Sequence, residues 1–243
     1  MRNYLFLNGI LASALCGALA LAFGLAHAAP PASVKITYNL FRSGIQLGVI
    51  TERFEHKDGK YQAVSEGRAT GLLALVQRDP VRYTSVGEIS ANGLHPRRFE
   101  GRHQGKFMAA DFDWPGAKLN LTHDGLQHAI DMPGNTQDRL SIMYQISYAL
   151  NVAAKDKLPV MDFAMTNGRK LEKYHYTATP NVTIDVPFKR LSTTHLVKQR
   201  EGNDSGTEIW VAPEYGNVAV KVVIIESDGV RYEQVATYVE VKH

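Results

Sequence analysis

The fold is decided by Val34-Lys-Ile-Thr-Tyr-Asn-Leu40 and the run after it, Ile45-Gln-Leu-Gly-Val49, which continues to Asp58-Gly59. Val34, Ile36, Tyr38 and Leu40 point one way and Lys35, Thr37 and Asn39 the other, the period of two that marks a half-buried strand. Ile45, Leu47 and Val49 open a second run that turns at Asp58-Gly59. Asx-Gly pairs supply the positive φ angles of tight hairpins. Similar punctuation recurs at Asn92-Gly93, Gln104-Gly105, Asp124-Gly125, Asn167-Gly168 and Asp228-Gly229.

Working outward, further strands are expected at Val81 to Ile89, Arg97 to Arg102, Phe107 to Trp114, Val160 to Thr166, Arg169 to Ala178, Val182 to Val186, Ser192 to Lys198, Thr207 to Ala212, Val218 to Ile225 and Val230 to Val241. Val218 to Ile225 is apolar on both faces apart from Lys221, so it is covered on both sides, or faces a core on one side and a cavity on the other. Trp114, sharing a face with Met108, Ala110 and Phe112, and Trp210 are expected to be largely buried. One segment breaks the strand period. From Gln137 to Leu150, Leu140, Ile142, Met143, Ile146, Ala149 and Leu150 fall on one half of a helical wheel, and Ser141, Tyr144, Gln145 and Tyr148 on the other. Asn135 or Thr136 is expected to cap this helix, with Asp138 at the positive end of its dipole. The class is therefore mainly β: a curved antiparallel sheet, as half-barrel, barrel or sandwich, with one amphipathic helix near 137–150.

The first residues have a different character. Arg2, the apolar run Ile10 to Leu25 and Ala26-His-Ala28 read as an export signal ending near residue 28. As a helix the run spans about 24 Å, short of the ~30 Å of a bilayer core. Residues 29–243 are expected to form one β-rich domain in the periplasm, with no further stretch able to cross a membrane as a helix. Cys16, the sole cysteine of the 243 residues, goes with the signal, so the mature chain has no thiol for a disulfide, metal site or nucleophile. The formal charge falls from +3 to +2 on losing one arginine, too even a balance for a nucleic-acid binder.

Gly44-Ile-Gln-Leu-Gly48, Asp111-Phe-Asp-Trp114, Gln137-Asp-Arg-Leu-Ser141, Gly168-Arg-Lys-Leu-Glu-Lys-Tyr174 and Thr207-Glu-Ile-Trp-Val-Ala-Pro213 are distinctive stretches. Together with others they resemble one exported bacterial family, domain of unknown function 3108. The resemblance covers nearly the whole mature chain. It implies an envelope location and a β-rich fold, and it implies no reaction.

Candidate sites are few. Asp111 and Asp113 share a strand face, the placement needed for acid–base work or calcium, and equally that of a solvated face. Asp138 and Arg139 could hold a polar ligand at the helix start, or cap and pin the helix. Tyr144 and Tyr148, four apart on the more polar half, mark the mouth of an amphiphile site or seal the core edge. Trp114 is a stacking candidate if exposed. Gly71-Leu-Leu-Ala-Leu-Val76 reads as an apolar lip for a lipid, membrane or partner, or equally as a buried strand or helical turn. His123 and His128 fit no zinc spacing, and no cofactor is expected. Three functions are compatible with these residues: a non-enzymatic envelope protein binding a lipid-like ligand; an assembly or scaffold protein; and a hydrolase or lyase on envelope glycan or lipid using Asp111, Asp113 or Asp138.

Overall fold

The computed structural model describes residues 31–77, 79–103, 105–153, 158–198, 202 and 204–242. The expected export segment 1–28, with Cys16, lies outside the described residues, as do Gln104 and Arg78. The first eight strands are β1 (Ser33–Arg42), β2 (Ile45–Lys57), β3 (Lys60–Ala69), β4 (Val81–Ser90), β5 (Gly93–His103), β6 (Lys106–Asp113), β7 (Lys118–His123) and β8 (Leu126–Asp131). A one-turn helix α1 (Leu73–Val76) joins β3 to β4. Then come β9 (Thr136–Asp138), helix α2 (Ser141–Val152), β10 (Asp162–Thr166), β11 (Leu171–Val186), β12 (Lys189–Lys198), β13 (Gly206–Ala212), β14 (Val218–Ile225) and β15 (Arg231–Lys242).

All fifteen strands join one curved sheet in the order β8-β7-β6-β5-β4-β3-β2-β1-β15-β14-β13-β12-β11-β10-β9. The chain meanders outward from β1 to β8, crosses through β9 and α2, and meanders back from β10 until β15 pairs with β1. The sheet is open: its edges, β8 and β9, do not pair, so it is not a closed barrel. Every neighbouring pair is antiparallel except β9 with β10. Gly59, Gly93, Gly105, Gly125, Gly168 and Gly229, at the six expected turns, all have positive φ.

Register lines up the inner face. Val34, Phe54, Ala63, Ser85, Phe99, Ala110 and Leu121 sit opposite one another across seven strands. All are buried, and each fully buried large apolar side chain contributes about 1.5–3 kcal/mol. On β2 the inner face runs through Gly48, Ile50, Glu52 and Phe54, whereas Ile45, which opens the expected alternation, is exposed.

Helix α2 lies across this face between the two meanders. Leu140, Tyr144 and Tyr148 pack with the cluster of Phe54, Tyr61 and Leu94, and Ile142 and Ile146 with that of Phe163, Tyr176, Leu196 and Ile209. Three expectations are corrected here. The helix begins at Ser141, because 136–138 pairs as a strand with β10 and Asp138 does the capping expected of Asn135 or Thr136. The half of the helix holding Tyr144 and Tyr148 is buried rather than bordering water, because polar atoms there find partners in the sheet. Gln145 Oε1 accepts from Leu94 N at 2.7 Å and Tyr148 OH donates to Ala91 O at 2.8 Å. Gly93 makes the first contact possible, since a Cβ there would lie 2.2 Å from Gln145 Oε1. Lastly, 171–186 is one strand rather than two, with a register shift between Thr179 and Val182 that breaks its alternation.

The strand apolar on both faces is covered on both. Val218, Val220 and Val223 belong to one cluster and Ala219 and Val222 to the other. A bulge opposite Trp210 and Val211 resets the alternation. Trp210 is buried as expected, while Trp114 is only partly so.

Candidate functional site

A cavity of about 810 Å³ lies between the inner face of the sheet and the start of α2. Its floor is built from small residues of three adjacent strand positions, Gly48, Gly67 and Ala69. At Gly67, where a Cβ would meet nothing nearer than 3.7 Å, the missing side chain leaves volume that Ile50, Val81, Leu140, Ile142, Met143 and Val222 border with apolar surface. That volume falls within the 300–1,000 Å³ of typical small-molecule sites.

Polar groups converge at one place on this wall. Glu52, Ser65, Tyr83 and Gly101 are successive cross-strand partners on β2, β3, β4 and β5. The Glu52 carboxylate is surrounded by protein yet keeps part of its surface toward the cavity. Burial raises its pKa, opposed by a hydrogen bond from Ser65 and by the Arg139 guanidinium. Arg139 enters from the helix side and lies 4.5 Å over the ring of Tyr83, a cation–π contact. Tyr83 has room because Gly101 has no side chain: a Cβ there would meet its ring at 2.3 Å. Among the described residues Arg139 has no ion-pair partner within salt-bridge distance, so its donors remain available to an anionic or polar ligand group.

A second carboxylate stands close by and has a different role. Asp138 is fully buried; its Oδ1 accepts from Leu140 N at 2.8 Å and Ser141 N at 2.9 Å, and its Oδ2 from Ser85 Oγ at 2.5 Å. Ser141 Oγ in turn accepts from Asp138 N at 2.8 Å, and Tyr61 OH joins Ser85 Oγ at 3.0 Å. Burial raises the Asp138 pKa, and these hydrogen bonds oppose the rise.

The structure thus separates the sequence candidates. Arg139 lines the cavity, whereas Asp138, Tyr144, Tyr148 and Trp114 do not. Tyr144 stacks on Phe54 at 4.2 Å between ring centroids, and Trp114 Nε1 donates to Pro96 O at 2.7 Å beside Phe112. Asp111 accepts from Arg98 at 2.5 Å, and Asp113 accepts from Gly116 N in the turn after β6. Both lie on the face opposite Ala110 and Phe112, away from Asp138, so the three carboxylates form no shared site. Among the described residues no three His, Cys, Asp or Glu side chains gather as a metal site. Glu52, Ser65 and Tyr83 went unnoticed in the sequence. The signal for Glu52 was present: a charge between Ile50 and Phe54 on the inward set of β2.

The family model described as Protein of unknown function (DUF3108) matches residues 33–235. The chain belongs to this family. The DUF3108 match runs from the first residue of β1 into β15 and includes every residue that lines the cavity. No curated protein matches the chain.

Proposed function

We propose that this DUF3108 protein is a non-enzymatic envelope protein, exported to the periplasm by its first 28 residues, that holds an amphiphilic ligand under α2. The observation that carries the reading is the cavity itself: an apolar wall with one polar corner, where Arg139 faces the void and, among the described residues, has no carboxylate within salt-bridge distance. An aliphatic portion gains from leaving water against Ile50, Ile142, Met143 and Val222. A headgroup with an acceptor oxygen satisfies the guanidinium, which costs free energy if left buried and unpaired.

Native mass spectrometry of protein purified from the periplasm tests this, with Gly67→Leu as the control. A Cβ at Gly67 meets only ordinary contacts, 3.7 Å from Ile50 Cγ1 and 3.9 Å from Val81 Cβ, so a larger side chain extends into the void. The wild type should carry a small molecule of lipid mass and Gly67→Leu should lose it, with similar melting temperatures. A wild type that arrives without any bound amphiphile, and takes up none from added detergent or fatty acid, removes the reading.

A further inference from the structure

The mouth of the cavity has an exposed apolar rim. Leu72, Leu75 and Val76 of the α1 turn are 84%, 68% and 81% exposed, and Ile45 at the start of β2 is 71% exposed. Leu73, between them in sequence, lines the cavity instead. The turn is held in place: Thr70 N donates to Leu47 O at 2.9 Å, and Gln77 N to Leu73 O at 2.9 Å. The first of these bonds, with the pairing of Gly48 and Ala69, brings Ile45 and the α1 turn to the same end of the sheet. A soluble surface rarely gathers four large aliphatic side chains at one edge without something to cover them.

Charge at this edge indicates what covers it. Arg42 and Arg68 are exposed, border the cavity, and among the described residues have no ion-pair partner; Arg42 lies over the ring of Tyr232 at 5.9 Å. Of the acids on the rim, Glu172 is paired with Lys170 at 2.8 Å, leaving Glu226 and, beyond the turn, Asp79. Aliphatic side chains flanked by unpaired guanidiniums match a leaflet of anionic lipid, whose acyl chains take the first and whose phosphates take the second.

We propose that this edge is a bilayer-docking lip: Leu72, Leu75, Val76 and Ile45 enter the interface of an anionic leaflet, Arg42 and Arg68 pair with its phosphates, and the cavity opens toward the lipid. The docking stands on the exposed rim alone; only its purpose, passing an amphiphile between leaflet and cavity, rests on the ligand-binding reading.

Flotation of the exported protein with vesicles tests it. Vesicles of phosphatidylethanolamine with phosphatidylglycerol should carry the wild type, and phosphatidylcholine vesicles should carry it less. Leu72→Ser with Leu75→Ser should weaken partitioning at least about tenfold on both, because two exposed leucines supply much of the transfer free energy. Arg42→Gln with Arg68→Gln should weaken it on the anionic vesicles only, and added salt should mimic that change. All four substituted side chains are exposed, so melting temperatures should hold. A wild type that stays unbound, or a serine pair that floats undiminished, overturns the lip. So does a serine pair that loses a protein partner while vesicle binding stays unchanged. Gly67→Leu should float like the wild type; if it does so while the wild type also carries no amphiphile, docking stands and the ligand-binding reading fails.

Discussion

Asp138 and Glu52 are two carboxylates enclosed by the same wall of β2 to β4 and the start of α2, each with a serine partner and each with its pKa raised by burial. They differ in what surrounds them. Asp138 has three donors on its two oxygens and no open space; Glu52 has Ser65, the field of Arg139, and a cavity. The first is a joint that fastens helix to sheet. The second is a polar group left facing a void. A buried charge alone does not mark a binding site; its unfilled surroundings do.

The largest effect should come from breaking the joint. Asp138→Ala leaves Leu140 N and Ser141 N without their acceptor in a closed interior, and leaves the Ser85 hydroxyl only Tyr61 OH as a partner. Loss of a helix cap together with orphaned buried donors should cost about 3–4 kcal/mol in urea unfolding. A loss below about 1 kcal/mol would mean that water or a neighbour can replace the carboxylate, and the contrast with Glu52 would collapse.

A smaller effect should come from crowding the polar corner. Gly101→Ala forces its Cβ to within 2.3 Å of the Tyr83 ring, which must move and carry Arg139 with it. Overpacking of this kind should cost about 1–3 kcal/mol. Gly67→Ala, two strands away on β3 with nothing nearer than 3.7 Å, should lie within about 0.5 kcal/mol of wild type. Equal losses in thermal melts of the two variants would show that the corner is no tighter than the cavity floor.

Much of this architecture was legible. The period of two in Val34 to Leu40 and the six Gly-containing turns specify antiparallel meanders, and the period of 3.6 after Gln137 specifies the helix. What escaped depends on long-range placement. Strand β8 is exposed along nearly its whole length, so its sequence need not alternate, and β9 is three buried residues whose partner lies 28 positions away. Tyr144 and Tyr148 looked like a polar edge because a wheel ranks side chains by polarity. It cannot see that Phe54 offers one a ring to stack on and Ala91 the other an acceptor. Of the nominated site residues, Arg139 stands out by its nearness to the helix start and does line the cavity. Glu52 is recognised only when register puts it beside Ser65 and Tyr83.

The smallest expected effect is also the sharpest test of what Glu52 is. Its pKa is raised from the ordinary 4.5, so the folded state holds the proton more tightly than the unfolded chain. Between the ordinary value and the raised one, the folded state binds more protons than the unfolded, and stability falls as pH rises through that window. Asp138 adds a slope of the same sign starting from its own ordinary value of 3.8. Glu52→Gln keeps the shape and a partner for Ser65 but removes the charge, so it should abolish Glu52's share of the slope and leave that of Asp138. The variant should therefore match wild type at the acid end and be slightly more stable at neutral pH, where the wild type keeps a charge enclosed. The tyrosine hydroxyls of Tyr38 and Tyr144 feel the Glu52 charge but ionise far above this range, so they do not contribute to the change. Urea midpoints measured from acid to neutral pH decide it. If the variant is less stable at neutral pH, the Glu52 carboxylate is itself a structural joint like Asp138, and the distinction drawn between them is lost. If the two curves converge at acid pH and part as it rises, Glu52 is a charge held at a cost in folding, which is what a ligand-facing group is.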